Sequence, residues 1–135
     1  MRVVLVNQAR MTSTRLPGKV LLPVMDKPLL AYQLERLRRA RRVDEIVVAT
    51  TLNATDDPIV ELCGQLGVSI YRGSELDVLD RYFQASKAHA ADVVVRVTSD
   101  CPVIDPALVD QVIAAYAEGG YDYIANTRER TFPRG

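Results

Sequence analysis

Arg2-Val3-Val4-Leu5-Val6, running into Asn7-Gln8-Ala9-Arg10-Met11-Thr12-Ser13-Thr14-Arg15-Leu16-Pro17-Gly18-Lys19, is the stretch on which the fold turns. The apolar run is short, rich in β-branched residues and bounded by polar ones, which predicts a buried strand rather than a helix. Three cations, Arg10, Arg15 and Lys19, then fall within one turn-rich loop that also carries hydroxyls and a glycine. In open α/β sheets ligands bind at the carboxyl ends of the strands. There, backbone N–H groups, hydroxyls and fixed cations can together neutralise a polyphosphate, so the loop predicts a triphosphate site.

Spacing excludes two common phosphate loops. The G-x-x-x-x-G-K-[ST] pattern fails because Ser13 stands where its first glycine should be and Val20 where its hydroxyl should be. G-x-G-x-x-G fails because Gly18 is the only glycine in the loop. Taken on charge alone, the loop could equally be a solvated surface turn.

Downstream, apolar periodicity alternates between two kinds of element. A helix is predicted from Pro28, with Leu30, Leu34 and Leu37 on one face, Gln33 as the polar exception, and Arg38, Arg39, Arg41 and Arg42 offsetting the dipole near its end. Ile46-Val47-Val48-Ala49-Thr50 is a second strand. Thr55 is positioned as the N-cap of a helix with Asp56, Asp57 and Pro58 in its first turn, apolar at Ile59, Val60, Cys63 and Leu66 and stopped by Gly67. Val68-Ser69-Ile70-Tyr71 is a third strand, turning at Arg72-Gly73-Ser74. A helix from Asp77 to His89 follows, expected to turn Val78, Leu79, Tyr82 and Ala85 inward, with Asp80 and Arg81 either pairing locally or facing a cleft. Asp92 to Val97 is a fourth strand. It ends in Thr98-Ser99-Asp100, where an aspartate after small hydroxyl residues can hold a hard cation such as Mg²⁺. Asp105 and Pro106 open a last helix ended by Gly119-Gly120, and Tyr121-Asp122-Tyr123-Ile124-Ala125 reads as a further strand. Such alternation predicts a three-layer α/β/α fold with a mainly parallel sheet in one domain, residues 1–135.

Composition narrows the function classes. Seventeen basic and seventeen acidic residues cancel, and no basic stripe with interleaved aromatics occurs, which argues against nucleic acid as a partner. The apolar runs are too short to span a membrane, and Met1-Arg2 leads directly into a strand, so a cytoplasmic protein is expected. Cys63 and Cys101 form no C-x-x-C pair and stand beside no histidine, leaving zinc and redox motifs unsupported. His89, late in its helix, is expected near the surface rather than at a ligand.

Ala9-Arg10-x-x-Ser13-x-Arg15-Leu16-Pro17-Gly18-Lys19 resembles the signature of the acylneuraminate and Kdo cytidylyltransferases, and the run from Gln8 to Leu21 is similar to their branch named for the spore coat polysaccharide biosynthesis protein SpsF. Ala49-Thr50-Thr51, Asp56-Asp57-Pro58-Ile59-Val60, Arg72-Gly73-Ser74, Asp77-Val78-Leu79-Asp80-Arg81-Tyr82 and Asp100-Cys101-Pro102-x-Ile104-Asp105-Pro106 continue the likeness in the family's order. The resemblance implies a nucleotide-diphospho-sugar transferase-like, Rossmann-like fold. It also implies transfer of CMP from CTP to an acidic sugar with loss of pyrophosphate, and Mg²⁺ as cofactor. Arg10, Ser13 and Lys19 would hold the β- and γ-phosphates and Arg15 would support the loop or reach the α-phosphate. Ala9, Arg72, Gly73, Thr98 and Ser99 would line the nucleotide, and Asp100 would bind the metal. In the family further strands and a second acidic ligand follow the segment from Arg128 to Gly135, so the chain is expected to be the nucleotide-binding, N-terminal part of a longer domain, inactive alone. The edge so exposed predicts self-association into a homo-oligomer. Two other functions share the layout: a nucleotide-sugar glycosyltransferase and a nucleotide-binding module without turnover.

Overall fold

The computed structural model describes residues 1–129; the run from residue 130 lies outside the described residues. Strand β1 (Val3–Gln8) is buried from Val3 to Asn7, as its β-branched run demands. A 3₁₀ turn (Lys19–Leu21) and a small antiparallel hairpin, β2 (Pro23–Val24) and β3 (Lys27–Pro28), follow it. Met25 and Asp26 form the hairpin's two-residue loop, both at positive φ. The chain continues through α1 (Leu29–Leu37), β4 (Glu45–Thr51), α2 (Asp57–Leu66), β5 (Ser69–Gly73), α3 (Val78–Ala88), β6 (Val93–Thr98) and α4 (Pro106–Ala117).

β1, β4, β5 and β6 make one parallel sheet in the order β5-β4-β1-β6. Side chains alternate across it with period two. Val3 and Leu5 face Leu37 of α1 and Val109 and Ile113 of α4, while Val48 meets Leu34 of α1 and Ile59 and Cys63 of α2. Val4, Val6, Val47 and Ala49 point the other way, onto Tyr82 and Ala85 of α3. Burying a Val or Leu side chain contributes about 1.5–3 kcal/mol, so these two layers are what hold the sheet. No helix among the described residues is long and apolar enough to cross a membrane.

Three local expectations are corrected. Residues 121–125 form no strand, pairing with none of the sheet's strands among the described residues, and Tyr121 and Tyr123 are exposed. Thr55 does not cap α2, because a 3₁₀ turn (Ala54–Asp56) intervenes and the helix starts at Asp57. Leu79 is 80% exposed rather than inward. Once Asp77 caps α3, accepting from the Asp80 N–H at 2.9 Å, the inward stripe is 78, 81, 82 and 85, the i, i+3, i+4, i+7 spacing, and Arg81 takes the place expected for Leu79.

Candidate nucleotide site

The chain moves outward from β1 to β4 and β5, then returns past β1 to place β6 on its other side. Strand order therefore reverses between β1 and β6, and at such a switch point the carboxyl ends part into a crevice. The loop after β1 forms one wall and the Thr98-Ser99-Asp100 turn the other.

The first wall is built around Met11. Its carbonyl accepts from Ser13 N–H at 3.0 Å and Gly18 N–H at 2.7 Å, which folds the loop back on itself. Gly18 sits at φ 72°, a left-handed turn that a side chain would strain, and hands the chain to Lys19 at the start of the 3₁₀ turn. Ala9 is buried, its N–H on the Ala49 carbonyl at 3.1 Å. Ser13 Oγ accepts from Leu16 N–H at 3.4 Å. Arg10 and Arg15 are exposed, and the structure assigns neither guanidinium a partner among the described residues. A groove of about 600 Å³ runs along the loop, lined by Met11, Thr12, Ser13, Pro17, Gly18 and Thr55.

Asp56 anchors this wall, and sequence reasoning placed it in a helix turn. It is fully buried, accepts from Met11 N–H at 2.7 Å and Thr51 N–H at 3.3 Å, and takes a short hydrogen bond from the Thr51 hydroxyl. A second aspartate beside one already sufficient for the helix N-terminus was the available signal.

On the second wall, Ser99 is buried with its N–H on the Gln8 carbonyl at 3.0 Å. Thr98 Oγ1 donates to Asp100 Oδ1 at 2.5 Å, and the Thr98 carbonyl accepts from Gln33 Nε2 at 2.7 Å. Gln33 in turn accepts from Asn7 Nδ2 at 2.9 Å, so the polar exception on the apolar face of α1 ties β1 to the end of β6. The Thr98 hydroxyl is the main influence holding the Asp100 carboxyl below the usual aspartate range, with its own backbone N–H and then Lys19 adding to it against the cost of burial. Lys19 is therefore near enough for its charge to act on the Asp100 carboxyl. No cluster of three or more potential metal ligands occurs among the described residues. Asp100 offers one carboxylate with Oδ2 unengaged, which suits Mg²⁺, an ion habitually held by one or two carboxylates and substrate phosphates.

At the end of β5, Arg72 is fully employed within the fold. Its guanidinium donates to the Thr51 carbonyl at 2.8 Å, the Asn53 carbonyl at 2.7 Å and Asp57 Oδ1 at 2.7 Å. Gly73 is tightly packed; a Cβ there would lie 2.9 Å from the Tyr71 ring and 3.2 Å from Arg81 Cγ. Arg81 forms no pair with Asp80, which instead accepts from Gln84 at 3.1 Å.

The cytidylyltransferase family profile matches residues 3–134. The chain belongs to the cytidylyltransferase family. It is 40% identical over 125 residues to the spore coat polysaccharide biosynthesis protein SpsF of Bacillus subtilis, covering 90% of this chain and 52% of that protein. A cytidylyltransferase structure from Leptospira borgpetersenii superposes with TM-score 0.84 at 42% identity, over 87% of this chain and 50% of the other. The structure of CMP:2-keto-3-deoxy-manno-octonic acid synthetase complexed with CTP does so with TM-score 0.76 at 26% identity, over 87% and 48%. The chain therefore spans about half the length of the relatives it matches.

Proposed function

We propose that this cytidylyltransferase-family protein transfers CMP from CTP to a hydroxyl of an acidic sugar, in surface polysaccharide or glycan biosynthesis in the cytoplasm, where nucleoside triphosphates are held. The observation that carries this reading is that β1 and β6 pair side by side through Gln8 and Thr98, which brings the cationic β1 loop and Asp100 to the same switch point, in a chain of this family. That a family neighbour is described as complexed with CTP supports the choice of nucleotide, and that neighbour's octonic acid supports an acidic sugar.

In the reaction an acceptor hydroxyl oxygen bonds to the α-phosphorus of CTP and the bond to the β-phosphate oxygen breaks. Pyrophosphate leaves with that electron pair, and the acceptor's proton passes to solvent. Such transfer asks for alignment and for stabilisation of charge on the phosphates, with little covalent chemistry from the protein. Arg10, Ser13 and Lys19 hold the β- and γ-phosphates, and Arg15 supports the loop or reaches the α-phosphate. Asp100 holds Mg²⁺, which when bound offsets phosphate charge and polarises the reacting centre. Ala9, Gly73, Thr98 and Ser99 shape the nucleotide's walls, with Arg72 bracing the end of β5.

Product analysis with CTP, Mg²⁺ and a panel of acidic sugars tests the proposal. Pyrophosphate and a CMP-sugar are expected from a chain spanning the full length of its relatives, and CTP binding without turnover from residues 1–135 alone. From the full-length chain, release of nucleoside diphosphate or monophosphate from a nucleotide sugar would instead mark a glycosyltransferase, and no turnover with tight CTP binding a nucleotide-binding module.

A further inference from the structure

Gln33 is wholly buried on a face of α1 that is otherwise apolar, among Leu30, Leu34 and Leu37. A primary amide is costly to bury there unless it is hydrogen-bonded. Its Nε2 donates to the Thr98 carbonyl at 2.7 Å, and its Oε1 accepts from Asn7 Nδ2 at 2.9 Å. Only this amide orientation serves both contacts, because the reverse would set an oxygen against the Thr98 carbonyl. Asn7, equally buried in β1, leaves its own Oδ1 without a partner among the described residues, so what it contributes is the donor that orients Gln33. Apolar side chains of the same shape at both positions would continue the surrounding core at little cost. The pair therefore serves the one group it reaches outside itself, the Thr98 carbonyl.

That carbonyl belongs to a peptide unit at the edge of the crevice. The Thr98 carbonyl and the Ser99 N–H are two ends of one rigid plane; Gln33 holds the first, and the Gln8 carbonyl holds the second at 3.0 Å. Held at both ends, the plane cannot turn, and the Thr98 hydroxyl stays on Asp100 Oδ1 at 2.5 Å. With Oδ1 engaged, Oδ2 is the oxygen left for an ion. The contacts run unbroken from Asn7 through Gln33 and Thr98 to Asp100. We propose that Gln33 is a positioning residue for the cation of the site: by fixing the Thr98–Ser99 plane it sets the direction in which Asp100 presents Oδ2 to Mg²⁺. This rests on the metal reading of Asp100 above. Removing a group that holds a metal ligand from behind typically changes metal affinity about 10–100-fold, although the group never touches the ion.

The test titrates CTP into wild type, Gln33→Leu and the double variant Asn7→Leu/Gln33→Leu, without metal and at a series of Mg²⁺ concentrations. Leucine matches both amides closely in size, and the double variant leaves no unmatched Asn7 amide behind. In both variants metal-free CTP affinity stays at the wild-type level, while the Mg²⁺ concentration for half-maximal tightening rises about tenfold or more. In an Asp100→Asn background, where the tightening is lost, Gln33→Leu has no further effect on CTP binding. An unmoved Mg²⁺ midpoint overturns the role of Gln33. So does a fall in metal-free affinity as large as the fall with Mg²⁺, or a further loss in the Asp100→Asn background, since either marks a loosened core. Because the variants can fail to fold, the side-chain amide resonances of Gln33 in the wild-type protein supply an independent reading. They shift when Mg²⁺ is added to the CTP-saturated protein, and no shift overturns the proposal. Wild type whose CTP affinity ignores Mg²⁺ overturns the metal reading of Asp100 and this role with it, whereas an unmoved midpoint beside a responsive wild type overturns this role alone.

Discussion

Asp56 holds the β1 loop against the end of β4 through one buried carboxylate. It gathers three donors from the β1 loop and the end of β4 without solvent access, so its removal leaves Met11 N–H and both Thr51 groups unmatched. Asp56→Ala is expected to cost about 3 kcal/mol of folding stability in urea denaturation and to weaken tripolyphosphate binding through the loosened loop. Stability within experimental error of wild type would show that the loop holds itself. Asp100 makes a pH prediction. Its pKa lies below the ordinary 3.8, chiefly through the Thr98 hydroxyl, so the ionised form is favoured in the folded state. The associated stability is fully present above that ordinary value and is lost as pH falls through the lowered one. The Asp100 contribution to folding stability should therefore be flat from neutral pH down to the ordinary aspartate range, and at neutral pH the Mg²⁺-dependent tightening of CTP binding should be abolished by Asp100→Asn. A wild-type titration midpoint above the ordinary value would contradict this.

Elements were legible where a single periodicity governed them. β1, β4, β5 and β6 lie within a residue or two of their expected positions because β1 and β4 are short buried β-branched runs and β5 and β6, the part-buried edges of the sheet, are short apolar runs bounded by turn residues, and α1 begins after Pro28 as read. Gln33 was conspicuous in sequence as a polar residue on an apolar stripe, and it proves to bridge Asn7 and the Thr98 carbonyl. The misses come from contacts that no local pattern encodes. Leu79 and Arg81 exchanged faces because hydrophobicity ranks leucine inward, whereas the cap at Asp77 fixes the phase of α3 and selects the arginine. Residues 121–125 have strand composition but pair with no strand among the described residues. Two glycines test the packing of these elements. Gly73→Ala forces a Cβ against the Tyr71 ring and Arg81 and should cost about 1–3 kcal/mol. Gly64, inside α2 with nothing within 4 Å, should instead gain about 0.5–1 kcal/mol on substitution by alanine. Thermal melts of the two variants moving in the same direction would contradict the packing described.

Across the whole molecule the two ends of the sheet do different work. At the amino end Glu45 collects Arg2 at 2.6 Å, Ser69 at 2.7 Å and His89 at 2.9 Å, joining the starts of β1 and β5 to the end of α3. At the carboxyl end the cations of the β1 loop and Asp100 flank the point where strand order reverses. The cationic loop was legible as a charge cluster after a strand. That Asp100 would lie opposite it was not, since 81 residues separate Lys19 from Asp100 and only the return of the chain past β1 unites them. Whether this crevice binds CTP through the β1 loop is decided by calorimetric titration of CTP into wild type and Lys19→Ala. Saturable binding by wild type is predicted, weakened by about 1.5–3 kcal/mol in a variant whose thermal melt is unchanged. Equal CTP affinity in the two proteins, or none in either, would contradict it.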